Sequence, residues 1–312
     1  MKIYFHAKPN SFLESISRAV SLEGDEVLSS IENPELTITD SLALTSRPKV
    51  FLGYSPLPKV TLDALGVEIE EEKRGACSSC SSLWVSRWFD LGFREQTTLG
   101  IPLTSLMTQD LGPRCISGLG QRFIHSGPLF DLFDNESLKI LLSKMSYNGL
   151  VTFELQLFEG QISILNLSLG SKVPLIFNLL EGVKSKISDF LSGENSSLLE
   201  SWTTSLVLSV APWPRSEASF SPSQRTFIKG LSPALDKHLW LWGVQRERKS
   251  VYSDLPLLGV SSAWAQTLTE SNRRALRTLF ALDIKEKQFR TDLASSVASV
   301  YHDLTTEGLV EV

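Results

Sequence analysis

The chain has 312 residues, 42% of them hydrophobic and 21% charged, so it can bury a sizeable core and is not a disordered polymer. A formal net charge of −5 lacks the basic excess that general nucleic-acid binding needs, although a local basic groove stays compatible with it. The three cysteines, Cys77, Cys80 and Cys115, do not make a disulfide framework. Cys77 and Cys80 form a C-x-x-C pair without a second pair or histidines at zinc-ligand spacing, and read as reduced thiols. No secretory h-region follows Met1, and no run reaches the roughly 18 apolar residues of a membrane helix. The expectation is a cytoplasmic protein that spans no membrane.

Residues 2–6 read as an opening strand. A helix follows, with Phe12, Ile16, Ala19, Val20 and Leu22 on one side. Residues 50–53 form a short buried-type strand, stopped by Ser55-Pro56 and Pro58. A helical turn over 61–65 leads to an alternating strand over 66–70. Strand, helix and strand at this spacing point to a small α/β unit, with an α+β arrangement as the alternative. The first turn, Lys8-Pro9-Asn10-Ser11, lacks the glycines of a dinucleotide fingerprint.

An aromatic strand over 83–90 is followed by a turn at Leu91-Gly92 and a second strand before Ile101-Pro102-Leu103. Residues 111–120 read as an irregular, glycine-bearing loop. A helix over 130–144 turns Leu132, Leu138, Leu141 and Leu142 inward. The clearest signal is a hairpin: 149–158 and 161–169 alternate on either side of Glu159-Gly160. A helix over 174–191, a strand over 204–210 and a linker over 214–230 follow. Strands are expected at 238–244, from Val251, and at 257–261. Two helices close the chain, at 269–280 with Thr269 or Ser271-Asn272 as cap, and at 293–304. Trp202, Trp213, Trp240 and Trp264 are expected mostly to pack inside.

Three places bear on chemistry. The stretch Asp110, Gly112, Pro113, Gly118 and Gly120 has a permissive backbone whose amides can turn toward an anion. Asn166 is a lone polar side chain between apolar ones, and an amide oxygen suits magnesium; satisfying backbone groups near a strand end is the plainer role. Arg290 and Asp292 stand before the final helix and read as an N-cap with a salt bridge.

Taken in order, these pieces resemble phosphoribosylamine–glycine ligase of the ATP-grasp superfamily. Its glycine-rich loop follows a strand and a Gln-Asp pair, as Pro102-Leu103, Gln109-Asp110, Gly112-Pro113 and Gly118-Leu119-Gly120 do here. Its next strands are similar to Tyr147-Asn148-Gly149-Leu150-Val151 and to the run from Ile162 through Asn166 to Gly170. Its C-terminal strand ending G-G-Y-P corresponds to Val210-Ala211-Pro212-Trp213-Pro214, and its Y-R-x-D-I to Phe289-Arg290-Thr291-Asp292-Leu293. The likeness runs from about residue 83 to 295 and rests on order and spacing.

The resemblance implies an ATP-grasp-like core at 76–200, a reduced N-terminal α/β domain at 1–75 and a small, β-rich C-terminal domain at 201–312. The first 75 residues are either a shrunken pre-ATP-grasp domain or a reduced first lobe. ATP and Mg2+ are the implied cofactors, their binding weak or lost, with Asn166 as metal ligand. Asp110, Gly112, Pro113, Gly118, Gly120, Arg290 and Asp292 are the implied substrate-binding residues. Two departures weigh against full activity. Ile164 stands where the family has a metal-binding glutamate, and Ser168 where it has an arginine. Two readings follow: a ligase-like scaffold, impaired in or lacking ligation, that binds a small molecule or a protein partner; or an active ligase joining glycine to phosphoribosylamine in purine biosynthesis.

Overall fold

The computed structural model describes residues 1–6, 12–28, 36–39, 49–70, 81–89, 96–104, 116–170, 172, 175–193, 198–211, 213, 225–241, 243–247 and 250–311. The chain opens with β1 (Lys2–His6), α1 (Leu13–Leu22), β2 (Glu26–Leu28), β3 (Leu36–Thr39), β4 (Lys49–Phe51), β5 (Tyr54–Pro56) and α2 (Lys59–Ala64). Then come β6 (Ser81–Phe89), β7 (Thr97–Thr104), β8 (Ile116–Ile124), α3 (Pro128–Asp131) and α4 (Glu136–Lys144). The hairpin is β9 (Gly149–Phe158) and β10 (Gln161–Gly170), followed by α5 (Leu175–Glu181), α6 (Ile187–Ser192) and β11 (Trp202–Val210). The last part holds β12 (Thr226–Phe227), α7 (Pro233–Asp236), β13 (Leu239–Leu241), β14 (Val244–Glu247) and β15 (Ser250–Ser253). It ends with β16 (Leu257–Ala265), α8 (Leu268–Ala281), β17 (Lys287–Gln288) and α9 (Leu293–Thr306).

Among the described residues, fourteen strands form one mixed sheet whose main path runs β13-β16-β11-β8-β7-β6-β9-β4-β3-β1-β2. The N-terminal strands β1 to β4 pair in parallel, as the α/β pattern at 2–53 leads one to expect. The strands from β6 to β11 pair antiparallel. β9 is the junction. β6 pairs along its whole length on one side, and β10 along the other. β4 meets it at the single parallel pair Phe51↔Gly149. A separate three-stranded sheet is ordered β12-β15-β14.

Strand alternation sends side chains to two covered faces. Leu83 and Val85 of β6 and Val151, Phe153 and Leu155 of β9 join Leu138, Leu279 and Val297 from the helices on one face. Trp88 of β6, Leu150 of β9, Val207 and Val260 join Leu13, Ile16, Phe177 and Phe190 on the other. Each such side chain, fully buried, contributes about 1.5–3 kcal/mol of transfer free energy.

Several local expectations need correction. Leu22 is 69% exposed, so the buried stripe of α1 ends at Val20. Tyr54–Pro56, read as a strand stop, is β5 and pairs with β10: Pro56 sits at the strand end, where its missing N–H is tolerated. Residues 67–70 form no strand; Val67 N–H turns back to Leu62, and only Glu70 N–H reaches the β10 backbone, at Ile164. The helix expected at 130–144 is two, because Asn135 caps α4 by accepting from Leu138 N–H at 3.0 Å. The helix expected at 174–191 is likewise α5 and α6. The cap of α8 is Thr267, whose hydroxyl accepts from Glu270 N–H. Trp202 and Trp240 are buried, whereas Trp213 and Trp264 are half-buried. The C-x-x-C pair, Cys115, the Leu91-Gly92 turn and most of the 214–230 linker lie outside the described residues.

Gly149 is where the parallel and antiparallel parts meet. Its φ is +154°, and a Cβ there would lie 2.4 Å from the Phe51 carbonyl oxygen. Gly149→Ala is therefore expected to destabilise the fold by about 3 kcal/mol, measured by urea denaturation. A loss below about 1 kcal/mol, within the range of ordinary surface changes, would show that β4 does not dock this closely.

Candidate functional site

The site forms where the hairpin register places polar groups on one face. Between Ile164 and Asn166 the β9–β10 ladder slips: Ile164 faces Leu155, and Asn166 faces Glu154. Leu165 is the extra residue of this bulge. Directly opposed residues share a face, and successive residues of β9 point to opposite faces. The bulge therefore puts Asn166 beside Glu154 and turns Ile164 toward the core that holds Leu155. Glu154 thus stands beside Asn166 and not beside Ile164, the position of the family's glutamate. Ile164 also lies off the face that carries Asn166, so its identity matters less to the site than its spacing implies.

Glu154 is the hub of the cluster. Tyr54 Oη donates to its Oε1 at 2.6 Å, and Asn166 Nδ2 donates to the same oxygen at 3.3 Å and to Tyr54 Oη at 3.1 Å. Lys172 Nζ donates to Oε2 at 2.6 Å, forming an ion pair. The ammonium also stands 5.1 Å from the Tyr54 ring and 5.9 Å from the Trp84 ring, which enclose it with aromatic faces. Trp84 is brought there by β6, where it lies opposite Glu154 in the ladder. Burial pushes the Tyr54 hydroxyl pKa well above its ordinary value, and the bond to Glu154 adds to this. The phenol therefore stays a donor to the carboxylate.

Neither Tyr54 nor Lys172 stands out in the sequence. Tyr54 sits beside a Ser-Pro step that reads as a strand stop, and Lys172 is a lone cation just past β10. Ser168, the position of the family's arginine, is fully buried and directs its hydroxyl to the Thr152 carbonyl.

The remaining predicted residues do not gather at this cluster. Gly118 and Gly120 lie inside β8 rather than in a loop, with β7 and β6 between them and β9. A Cβ at Gly118 would lie 2.5 Å from Leu293 Cδ1, and one at Gly120 2.7 Å from Val297 Cγ1. The missing side chains thus admit α9 against the sheet. Arg290 and Asp292 pair with each other by two hydrogen bonds before α9, on the β11 side, with β8, β7 and β6 between β11 and β9. Arg290 holds the Asp292 carboxyl below the usual range, as the cap-and-salt-bridge reading requires, although Asp292 makes no side-chain cap bond. Asp110, Gly112 and Pro113 lie outside the described residues.

The donor set does not fit a magnesium–nucleotide centre. Magnesium needs free carboxylate oxygens, and both oxygens of Glu154 are held by Tyr54, Asn166 and Lys172. Among the described residues, no group of three or more His, Cys, Asp or Glu is placed to hold a metal ion. Nor, among them, is any helix long and apolar enough to cross a membrane.

No protein-family model matches the chain, and no curated protein does. Solved structures do, and they define its class: the chain has an ATP-grasp fold, as the motif order leads one to expect. It is similar to phosphoribosylamine–glycine ligase from Thermotoga maritima, with a TM-score of 0.62 and 12% identity over 94% of this chain and 100% of that one. It is also similar to the biotin carboxylase domain of a single-chain bacterial carboxylase, at a TM-score of 0.51 and 10% identity over 98% of this chain and 99% of that one. A third likeness is to the biotin carboxylase domain of the Hydrogenobacter thermophilus 2-oxoglutarate carboxylase, a structure containing MgADP and bicarbonate. Its TM-score is 0.52 and its identity 8%, over 94% of this chain and 92% of that one. At these identities the likeness is one of fold.

Lys172→Met is expected to cost about 1 kcal/mol, because the ammonium is partly exposed and screened. Adding Glu154→Gln should restore most of that loss, since no charge is then left unpaired. Denaturant midpoints of the two singles and the double variant measure the coupling. Strict additivity would show that the two side chains do not interact.

Proposed function

We propose that this chain is a divergent relative of phosphoribosylamine–glycine ligase, built on an ATP-grasp scaffold and impaired in or lacking ATP-dependent carboxylate–amine ligation. The observation that carries this reading is the ion pair between Lys172 and Glu154 beside Asn166. In phosphoryl transfer, metal ions neutralise the charge that develops on the phosphoryl oxygens. Here an ammonium already neutralises the carboxylate that a metal would need. ATP and Mg2+ binding is weakened or lost, and the scaffold serves a small ligand or a protein partner in a cytoplasm.

The domain division at about residues 75 and 200 belongs to the same proposal. The parallel pairing of β1 to β4 favours a reduced pre-ATP-grasp unit at the N-terminus over a reduced first lobe. Only residues 65–80 separate α2 from β6, too few for a further lobe.

One observation favours the second reading, an active ligase joining glycine to phosphoribosylamine. Glu154 and Asn166 form a carboxylate–amide pair, and displacement of Lys172 would free an oxygen for magnesium. Calorimetry with ATP and magnesium separates the two. The expected outcome is no magnesium-dependent heat and no effect of Asn166→Ala. Formation of ADP in the presence of glycine and phosphoribosylamine overturns the proposal.

A further inference from the structure

A cavity of about 450 Å³ lies between α1, the end of α5 and the start of α6, and the segment from α7 to β13. Its volume falls within the range of small-molecule sites, roughly 300–1,000 Å³. None of these elements carries Tyr54, Glu154, Asn166 or Lys172, so the cavity is distinct from the hairpin cluster. Trp240 and Trp264 supply aromatic surface, and Arg18, Lys237 and His238 supply cations or potential cations.

The polar groups that line the cavity are engaged to different degrees. Each acid that lines it already has a partner. Glu181 takes His238 Nδ1 at 2.7 Å, Glu23 takes the Ile187 backbone N–H at 2.8 Å, and Asp236 takes Arg18 at 2.7 Å. The donors are not used up. The Trp240 indole N–H is buried without a partner, an arrangement rare in native interiors. Arg18 makes one side-chain bond with a group that carries five donors. The His238 ring spends Nδ1 on Glu181 and keeps Nε2. The bond to Glu181 raises the imidazole pKa, against burial and the repulsion of Lys237 beside it and Arg274 from α8. Burial pushes the Glu181 carboxyl up, and His238 opposes that shift.

We propose that this cavity binds a small aromatic carboxylate, with its charge against Arg18, Lys237 and His238 and its ring against Trp240 and Trp264. The donors that Arg18, Lys237 and His238 keep beyond their bonds to the paired acids favour an acceptor-bearing anion. The paired acids nearby favour a single negative charge over the double charge of a phosphate monoester, because like charges in a half-enclosed cavity repel. The ring requirement follows from Trp264, which is half-buried, and from the edge of Trp240 left at the cavity wall, its ring being stacked on Phe177. This inference does not rest on the ligase reading, since it uses none of that cluster's residues.

The test is a titration of the full chain with benzoate, neutral benzamide and phenyl phosphate, followed by the Trp240 indole N–H resonance in heteronuclear NMR. Trp240→Phe assigns the signal. Benzoate should shift it saturably at pH 6, with benzamide and phenyl phosphate binding more weakly. His238→Gln should raise the benzoate Kd about tenfold, the loss of one charge-assisted hydrogen bond. Lys237→Gln, an exposed change that leaves packing intact, should raise it about threefold. The affinity should fall as pH rises through the raised imidazole pKa, because the anion is held by the protonated ring. No shift at millimolar benzoate, benzamide binding as tightly as benzoate, or an unchanged Kd in Lys237→Gln each overturns the proposal. Tighter binding of phenyl phosphate overturns its choice of carboxylate.

Discussion

Everything in this molecule hangs on β9. It pairs with β6 on one edge and β10 on the other, and at its first residue it accepts β4. A buried strand must satisfy its backbone groups on both edges, and here the partners come from three separate stretches of chain. Because β9 fixes the register of β6 and β10 together, it also fixes what stands beside Glu154: Trp84 on one side and Asn166 on the other. The polar cluster is a consequence of that register, and the parallel N-terminal strands are anchored through the same strand.

The cluster carries a conflict between fold and charge. The backbone follows an ATP-grasp architecture closely enough to span nearly the whole of the ligase and of the two biotin carboxylase domains it resembles. The side chains at the hairpin spend the one carboxylate beside Asn166 on an ammonium and a phenol. A fold is set by burial of two sheet faces, which dozens of apolar residues share, so it tolerates changes at a few polar positions.

A second feature is set by contacts between distant parts of the chain. Arg18 of α1 pairs with Asp236, 218 residues away, and Glu23 caps the backbone at Ile187. These bonds hold α1 over the turn between α5 and α6 and leave a cavity in which each lining carboxylate has a partner. The polar groups that close the seam also decide which charges remain unused beside it.

The sequence by itself determined most of the elements. The hairpin over 149–169 was legible because its alternation is long and its turn is marked by Glu159-Gly160, both with positive φ. The aromatic run of β6, the apolar strands β11 and β16 and the amphipathic α8 and α9 follow from periodicity alone. The motif order also made the ATP-grasp fold legible. Tertiary structure alone decided the site. One residue of bulge at Leu165 reverses which neighbour Asn166 meets; the apolar doublet Ile164-Leu165 interrupts the alternation there, but a doublet does not say which residue of the partner strand stands opposite. Gly118 and Gly120 read as a loop because glycine favours loops; they form a strand because α9 must approach the backbone there. Lys172 and Tyr54 become functional candidates only when β5 is laid against β10. Periodicity reports which face a residue shares with its sequence neighbours. Which residue stands across from it is set by register, and register is a property of two strands.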